Sequence, residues 1–474
     1  MLFFILCVSL LILGYFTYGK IVENIFGIDP DRLTPCKTME DGVDYISMPT
    51  WKVFFIQLLD IAGVGPIFGP ILAALYGPVA LIWIVIGCIF AGGVHDFFSG
   101  MLSVRANGQS IPEVVGDFLG MSARQVMRLF SVILLLLVGV VFVLSPAKLL
   151  NNLTGVNTQI LVGLIFVYYF AATILPIDKI IGRFYPIFGA LLLFMSFGVL
   201  AGLFFSSEVS VLPNLDFFTN THPNDRPIWP LLFITLSCGA ISGFHSTQSP
   251  LMARCIRNES NGRLVFYGAM IAEGVIALIW ATAGLSFYVG PEALNAVIAA
   301  GSPSAVVNEV CNTLLGPFGG FLAIMGVVIL PITSGDTAFR STRLILAETF
   351  KIEQKLPLKR LLIAVPLFVI AFLISTQDFA VIWRYFGWSN QTLATLVLWS
   401  AAVFLVQNHK FHWIASIPAT FMTSIVFAFI LQAQIGLRLP AMFSNITGGV
   451  VAAVVFIMFL IYAFKQRNDA PSKS

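Results

Sequence analysis

Charge is what this chain has least of. Of its 474 residues, 26 are Lys or Arg and 23 are Asp or Glu, 10% in all, against about 25% in ordinary soluble domains. No segment of domain length lacks long apolar runs, which excludes a soluble catalytic domain and a nucleic-acid-binding module. The six cysteines, Cys7, Cys36, Cys88, Cys238, Cys255 and Cys311, make no CxxC and no metal-ligand spacing. Neither a disulfide framework nor a resident metal or cofactor is expected. No nucleophile and base stand at useful spacing, which argues against an enzyme. The opening run MLFFILCVSLLILGYFTYG lacks a basic leader and an A-x-A cleavage site, so it is expected to be a retained first helix.

What is present is apolar sequence, 58% of the chain. A helix needs about 20 mostly apolar residues to cross a bilayer, which predicts an all-α polytopic membrane protein. About 13 spans are expected, near 1–19, 52–75, 77–104, 126–148, 158–176, 184–205, 228–247, 265–289, 317–347, 359–376, 378–406, 411–433 and 445–464. The run 291–314 reads as a short amphipathic helix outside the bilayer. Basic residues favour cytoplasmic loops, which tests the count. One alternating set of connections holds 22 of the Lys and Arg residues, the other holds three, Lys148, Arg226 and Arg438, and Arg384 falls inside a span. That split places the chain in a cell membrane with its N-terminus outside and its C-terminus in the cytoplasm.

Two apolar segments are broken by glycine and proline, GVGPIFGP at 63–70 and CGAISGFHSTQSP at 238–250. Such breaks are tolerated at membrane depth where the freed backbone groups are buried in protein or line a polar cavity. They open two groups of five spans that start from opposite sides of the membrane. The layout is an extra helix and loop over 1–51, a first repeat over 52–205, an extracellular loop over 206–227, a second repeat over 228–406, and two further helices with a short tail over 407–474. Inverted five-helix repeats with paired broken helices are an arrangement that secondary transporters use around a midplane site. The plainer alternative is that Gly and Pro are simply frequent in membrane helices and their close packing.

At the first break, Gly63 lies roughly 18 Å into its span, and Gly63, Gly65, Pro66, Gly69 and Pro70 can unwind the backbone to offer carbonyls to a cation and a helix N-terminus to a carboxylate. The second break offers Gly239, Ser242, Gly243, His245, Ser246, Thr247 and Gln248, donors and acceptors that suit a small polar organic molecule. Thr333, Ser334, Asp336 and Thr337 interrupt span nine. In transporters of this layout, hydroxyls there face the first broken helix at a sodium site, although Asp336 and Arg340 can equally form a helical ion pair. Glu273 is a carboxylate inside span eight, a functional candidate by default and suited to proton coupling. Its alternative is a protonated side chain bonded to a neighbouring helix. His95 and Asp96 read as a proton relay or as an interfacial cap pairing with Arg105, and Asp60, one turn before the first break, is equally open. Arg384 can bind a substrate carboxylate or snorkel toward Asp378. His222, His409 and His412 fall in loops and are expected to face solvent.

AGVGPIFGPILAA at 62–74, AGGVHDF at 91–97, RANGQSIPE at 105–113 and CGAISGFHS at 238–246 together resemble the carbon-starvation A (CstA) family. The resemblance covers spans two to about eleven. It implies a LeuT-like fold and uptake of peptides or pyruvate by proton symport, and the matching positions are Gly63, Gly65, Pro66, Gly69, Pro70, Asp96, Gly239, Ser242, Gly243, His245 and Ser246. Two departures stand out: Ile56 and Gln57 occupy a place where many longer members carry a histidine pair, and Asp60 one where they tend to have a small residue. The chain is also a short form. The expectation is a symporter that imports a small carboxylate or peptide, coupled to a proton or a sodium ion, with the lipid bilayer as its surroundings. A nutrient-binding sensor and an ion channel are the alternatives.

Overall fold

The structure is a computed structural model that describes residues 2–174, 177–206, 219–354, 356–377 and 379–468. Among the described residues the regular structure is helical. In chain order these are α1 (Leu2–Phe16), α2 (Tyr18–Phe26), the single turn α3 (Pro35–Thr38), α4 (Thr50–Ile61), α5 (Gly65–Ala73), α6 (Val79–Gly87), α7 (Gly93–Arg105), α8 (Ile111–Leu119), α9 (Met121–Thr154), α10 (Thr158–Ile174) and α11 (Ile177–Phe205). The second half holds α12 (Ile228–Thr235), α13 (Gly243–Ala253), α14 (Gly268–Ser286), α15 (Pro291–Phe350), α16 (Pro357–Ser375), α17 (Phe379–Gln407), α18 (Trp413–Gln432) and α19 (Ala441–Asn468).

Among the described residues, nine helical stretches are long and apolar enough to cross a bilayer, and α4 with α5, bent by 48°, make a tenth. The other three expected spans coincide with α10, with α11 and with the broken pair α12–α13. The helix α15 is interrupted at Ser302 (φ 65°) and Gly316 (φ 68°), so the stretch before Gly316 is set off from the buried stretch after Pro317. This is the boundary the sequence placed between an amphipathic helix and span nine.

Both halves follow one packing plan. Their first two spans pack together, α5 on α14 and α7 on α13, and so do their third and fourth, α9 and α10 on α15 and α16. Burial separates inner from outer helices. Within the apolar window of each, 83% of the stretch around α14 and 89% of α17 are buried, against 17% of α19 and 28% of α1 with α2. The outer helices turn Leu2, Leu13, Phe16, Met458 and Phe464 outward, as side chains facing lipid tails do. The expected breaks thus lie inside the bundle. The expected extracellular loop lies largely outside the described residues.

Candidate functional site

At the first break, α4 stops at Ile61 and α5 restarts at Gly65, with Pro66 in its first turn where a missing N–H costs nothing. The freed groups go to α15. The Gly63 N–H donates to Ser334 Oγ at 3.1 Å, and the Ser334 hydroxyl donates to the Leu59 carbonyl at 2.9 Å. Thr333 Oγ1 bonds the Leu330 carbonyl at 2.7 Å and lies 3.4 Å from that of Leu59, while Thr337 bonds back to Ser334 O at 3.1 Å. The hydroxyl row read from span nine does face the first break. Asp60 is fully buried beside it.

At the second break Gly239 takes φ 89°, a left-handed conformation that favours glycine. Here the caps come mainly from α17. Asn390 Nδ2 donates to Ser237 O at 3.1 Å and to Ser242 Oγ at 3.1 Å, and its Oδ1 accepts from the Phe244 N–H at 2.6 Å. Gln391 Nε2 donates to Ile241 O at 3.2 Å and Phe233 O at 3.3 Å, and Cys88 Sγ lies 3.1 Å from Gly239 O. Unpaired buried backbone groups each cost about 1–3 kcal/mol, so these side chains make the break tolerable. The two breaks meet: a Cβ on Gly65 would lie 2.3 Å from Cys238 Cβ. Phe142 of α9 closes over Gly63 and meets Phe244 edge to face at 5.9 Å.

Beside the second break a line of titratable side chains runs through the interior. His95 Nδ1 lies 2.7 Å from Asp96 Oδ1, Asp96 Oδ2 lies 2.9 Å from His245 Nδ1, and His245 Nε2 lies 3.2 Å from Glu273 Oε2. All four are buried, and they come from α7, α13 and α14. A carboxylate therefore faces each nitrogen of the His245 imidazole. Burial is costly for such groups unless they pair, and here the pairing crosses from the first half of the chain to the second. A hydroxyl and amide cluster continues the line: Ser99 Oγ bonds Ser249 Oγ at 3.2 Å and Gln57 Nε2 lies 3.5 Å from it. The buried Oε1 atoms of Gln57 and Gln248 make no hydrogen bond, although Gln248 Nε2 reaches Thr247 Oγ1 at 2.9 Å. The Ser246 hydroxyl donates to Gly243 O at 2.6 Å.

The fold chooses among the alternatives left open for several of these residues. Arg105 pairs with Glu259 at 3.1 Å, so Asp96 is no interfacial cap for it. The Arg384 guanidinium is exposed and donates to Gln434 at 2.8 Å, as the snorkelling alternative expects of it; Asp378 lies outside the described residues. Asp336 accepts from the Tyr168 hydroxyl at 3.1 Å and Arg340 pairs with Asp44 at 3.1 Å, and the two remain within electrostatic reach of each other. His222 also differs from its reading, being buried against the Tyr76 ring at 4.7 Å. Asn390, Gln391, Cys88, Phe142 and Asp44 were not singled out from the sequence. A polar triplet at 389–391 inside an apolar helix was the available signal for the first two.

A chain of this architecture has matches in sequence and in structure. It is 51% identical over 353 residues to a membrane protein of Haemophilus influenzae, covering 64% of this chain and 95% of that one. It is 24% identical over 558 residues to the peptide transporter CstA of Escherichia coli, covering 88% of this chain and 78% of that one. With the pyruvate/proton symporter BtsT of Escherichia coli the identity is 27% over 342 residues, 57% of this chain and 47% of that one. Among solved structures, MhsT in complex with L-phenylalanine superposes with a TM-score of 0.55 at 13% identity, covering 88% of this chain and 99% of that one. The likeness in fold establishes a LeuT-like arrangement, two five-helix repeats each opening with a broken helix. The model of the family described as carbon starvation protein CstA matches residues 1–161, 144–314 and 290–428, and with the motifs around both breaks in place, the chain belongs to that family.

Proposed function

We propose that this multi-pass membrane protein is a proton-coupled symporter that imports a small carbon source, pyruvate or a short peptide, and is not an enzyme. The observation that carries the reading is the line Asp96–His245–Glu273 at the second break. A proton arriving on His245 or Glu273 changes the charge balance of residues that join α7 to α13 and α14, so proton uptake and the arrangement of the breaks are one event. The substrate would lie between the two breaks, under Phe142 and within reach of Gln57 and Gln248, whose buried amide oxygens lack hydrogen bonds. The families of CstA and BtsT supply the substrate classes, peptides and pyruvate respectively, by the names of those relatives. The two repeats, 52–205 and 228–406, would supply the alternating access, with the N-terminus outside and the C-terminus in the cytoplasm as the basic residues divide.

Sodium coupling is the second reading. The Leu59 carbonyl with the hydroxyls of Thr333 and Ser334 is a set of neutral oxygens of the kind that holds sodium. Uptake of labelled pyruvate and of a labelled dipeptide into proteoliposomes, with proton and sodium gradients imposed separately, decides between them. Accumulation under the proton gradient alone is expected. Accumulation under the sodium gradient alone overturns proton coupling, and none under either overturns transport of both substrates.

A further inference from the structure

Three helix ends come together at one face of the bundle: α17 ends at Gln407, α18 begins at Trp413 and α19 runs to Asn468. Between the turn at 408–412 and the end of α19 lies a cavity of about 570 Å³. Its walls are of two kinds. Val406, Leu460 and Phe464 give it an apolar side, and His409, Lys410 and Arg467 a polar one. No Asp or Glu lines it among the described residues.

The fold places these cations. His409 takes φ 53°, its N–H donates to Val406 O at 3.0 Å, and the Lys410 N–H donates to Leu405 O at 2.8 Å, the double closure of a left-handed helix end. The chain thereby turns back over the bundle, where Lys410 Nζ donates to the Phe26 carbonyl at the end of α2 and lies 5.9 Å from the centre of the Phe26 ring. An ammonium carries three donors, so Lys410 is anchored without being used up. Arg105 and Glu259 are within electrostatic reach of it. Glu259 is itself held by Arg105 at 3.1 Å and lies 3.6 Å from Arg32, so its charge is shared among cations. Arg467 reaches the same cavity from the last turn of α19. Beside them α18 opens with no side-chain hydrogen bond to its first N–H groups, which adds partial positive charge.

The surroundings narrow the choice of ligand. Among the crossing stretches of the described residues α19 is the least buried, and it turns Ile461 and Phe464 outward, so its flank runs along lipid tails. Trp413 is exposed at the cavity, and tryptophan favours the depth of lipid headgroups. A cationic wall beside an apolar one, at the level where a crossing helix ends, is complementary to a molecule with an anionic head and an apolar tail. Basic pockets between the ends of membrane helices hold acidic headgroups in this way.

We propose that this cavity binds an anionic phospholipid at the membrane face that carries the end of α19. Lys410 and Arg467 take the headgroup phosphate, and an acyl chain lies along Leu460 and Phe464. The site shares no residue with either break and does not depend on what the protein transports. It does touch the helix that caps the second break, because α17 supplies Asn390 and Gln391 there, so a lipid joining the end of α17 to α19 braces that helix.

The test uses the full-length protein, purified in detergent and stripped of lipid. Its thermal unfolding is compared with phosphatidylglycerol, with phosphatidylcholine of the same acyl chains, and with inorganic phosphate alone. Phosphatidylglycerol is expected to raise the midpoint by roughly 3 °C or more, and the other two to leave it within roughly 1 °C, because a ligand of the folded state shifts unfolding by mass action. Native mass spectrometry is expected to show phosphatidylglycerol retained in preference to phosphatidylcholine. Arg467 lies exposed in the last turn of α19, so Arg467→Gln is expected to keep the wild-type midpoint without lipid. It should lose roughly half or more of the shift, since it removes one of two cations on the phosphate. Lys465→Gln removes an exposed cation of the same turn that does not line the cavity, and it should keep the shift. Equal shifts with the two lipids overturn recognition of an anionic head, and an equal shift with inorganic phosphate overturns a lipid as the occupant. An undiminished shift in Arg467→Gln, or one lost equally in Lys465→Gln, overturns the cavity as the site.

Discussion

The two breaks solve one backbone problem with different chemistry. At the first, a hydroxyl of α15 bridges Leu59 and Gly63, with Asp60 buried beside it. At the second, amide side chains of α17 hold the backbone, and an imidazole flanked by two carboxylates stands beside it. An unwound membrane helix only requires that its N–H and C=O groups find partners. Titratable groups are not needed for that and are expensive to bury. The imidazole held between two carboxylates at the second break is where we propose the proton chemistry, and the carbonyl and hydroxyls of the first break are left to hold shape or a metal cation.

Substitutions can break this comparison. The largest effect is expected from Glu273→Gln, which removes one of the two carboxylates facing His245. Proton-driven accumulation in proteoliposomes should fall by roughly 100-fold, the lower end of what a positioned proton-transfer group contributes. Retained accumulation would move the proton chemistry elsewhere.

Asn390→Ala should come next, through stability. It strips partners from Ser237 O and the Phe244 N–H, both buried, at about 1–3 kcal/mol for each group left unsatisfied. Thermal unfolding of the purified protein should drop by several degrees, and an unchanged midpoint would mean that the second break is capped in another way. Ser334→Ala removes a single hydroxyl bridge, worth about 1 kcal/mol, and should leave proton-driven uptake within roughly threefold of wild type, a shift of that size being about 0.7 kcal/mol. Abolished uptake in this variant, restored by no proton gradient, would make the first break the coupling site and invert the comparison. The smallest effect is expected from Arg384→Ala, whose guanidinium is exposed and donates to Gln434. Stability should change by no more than ~0.5 kcal/mol, and the concentration of pyruvate giving half-maximal uptake should not move.

Much of the site was legible because its elements are local. Glycine and proline placed both breaks, and an isolated carboxylate at Glu273 or a hydroxyl row at 333–337 stands out in an apolar helix without any knowledge of what it touches. Partners were not legible. Asp96 adjoins His95 and precedes Arg105 on the same helix, so either could be its partner, yet the fold gives it His95 and His245 and gives Arg105 to Glu259. Asp336 and Arg340 have the spacing of a helical ion pair, yet Tyr168 and Asp44 are among their partners. Arg384 carries a charge that a substrate carboxylate would need, but its side chain leaves the bundle for the exposed surface.

By itself the sequence determined the membrane class, the helical content, the division of basic residues and the placing of the breaks. Each follows from composition or from the single periodicity of a helix in a solvent that cannot satisfy backbone groups. Tertiary structure alone decided that residues 149 positions apart, Asp96 and His245, share a hydrogen bond, and that Asp44 of a loop lies among arginines nearly 300 residues away. The physical reason is that pairing of buried charge is settled by which helix faces meet, and that is a property of the packed bundle.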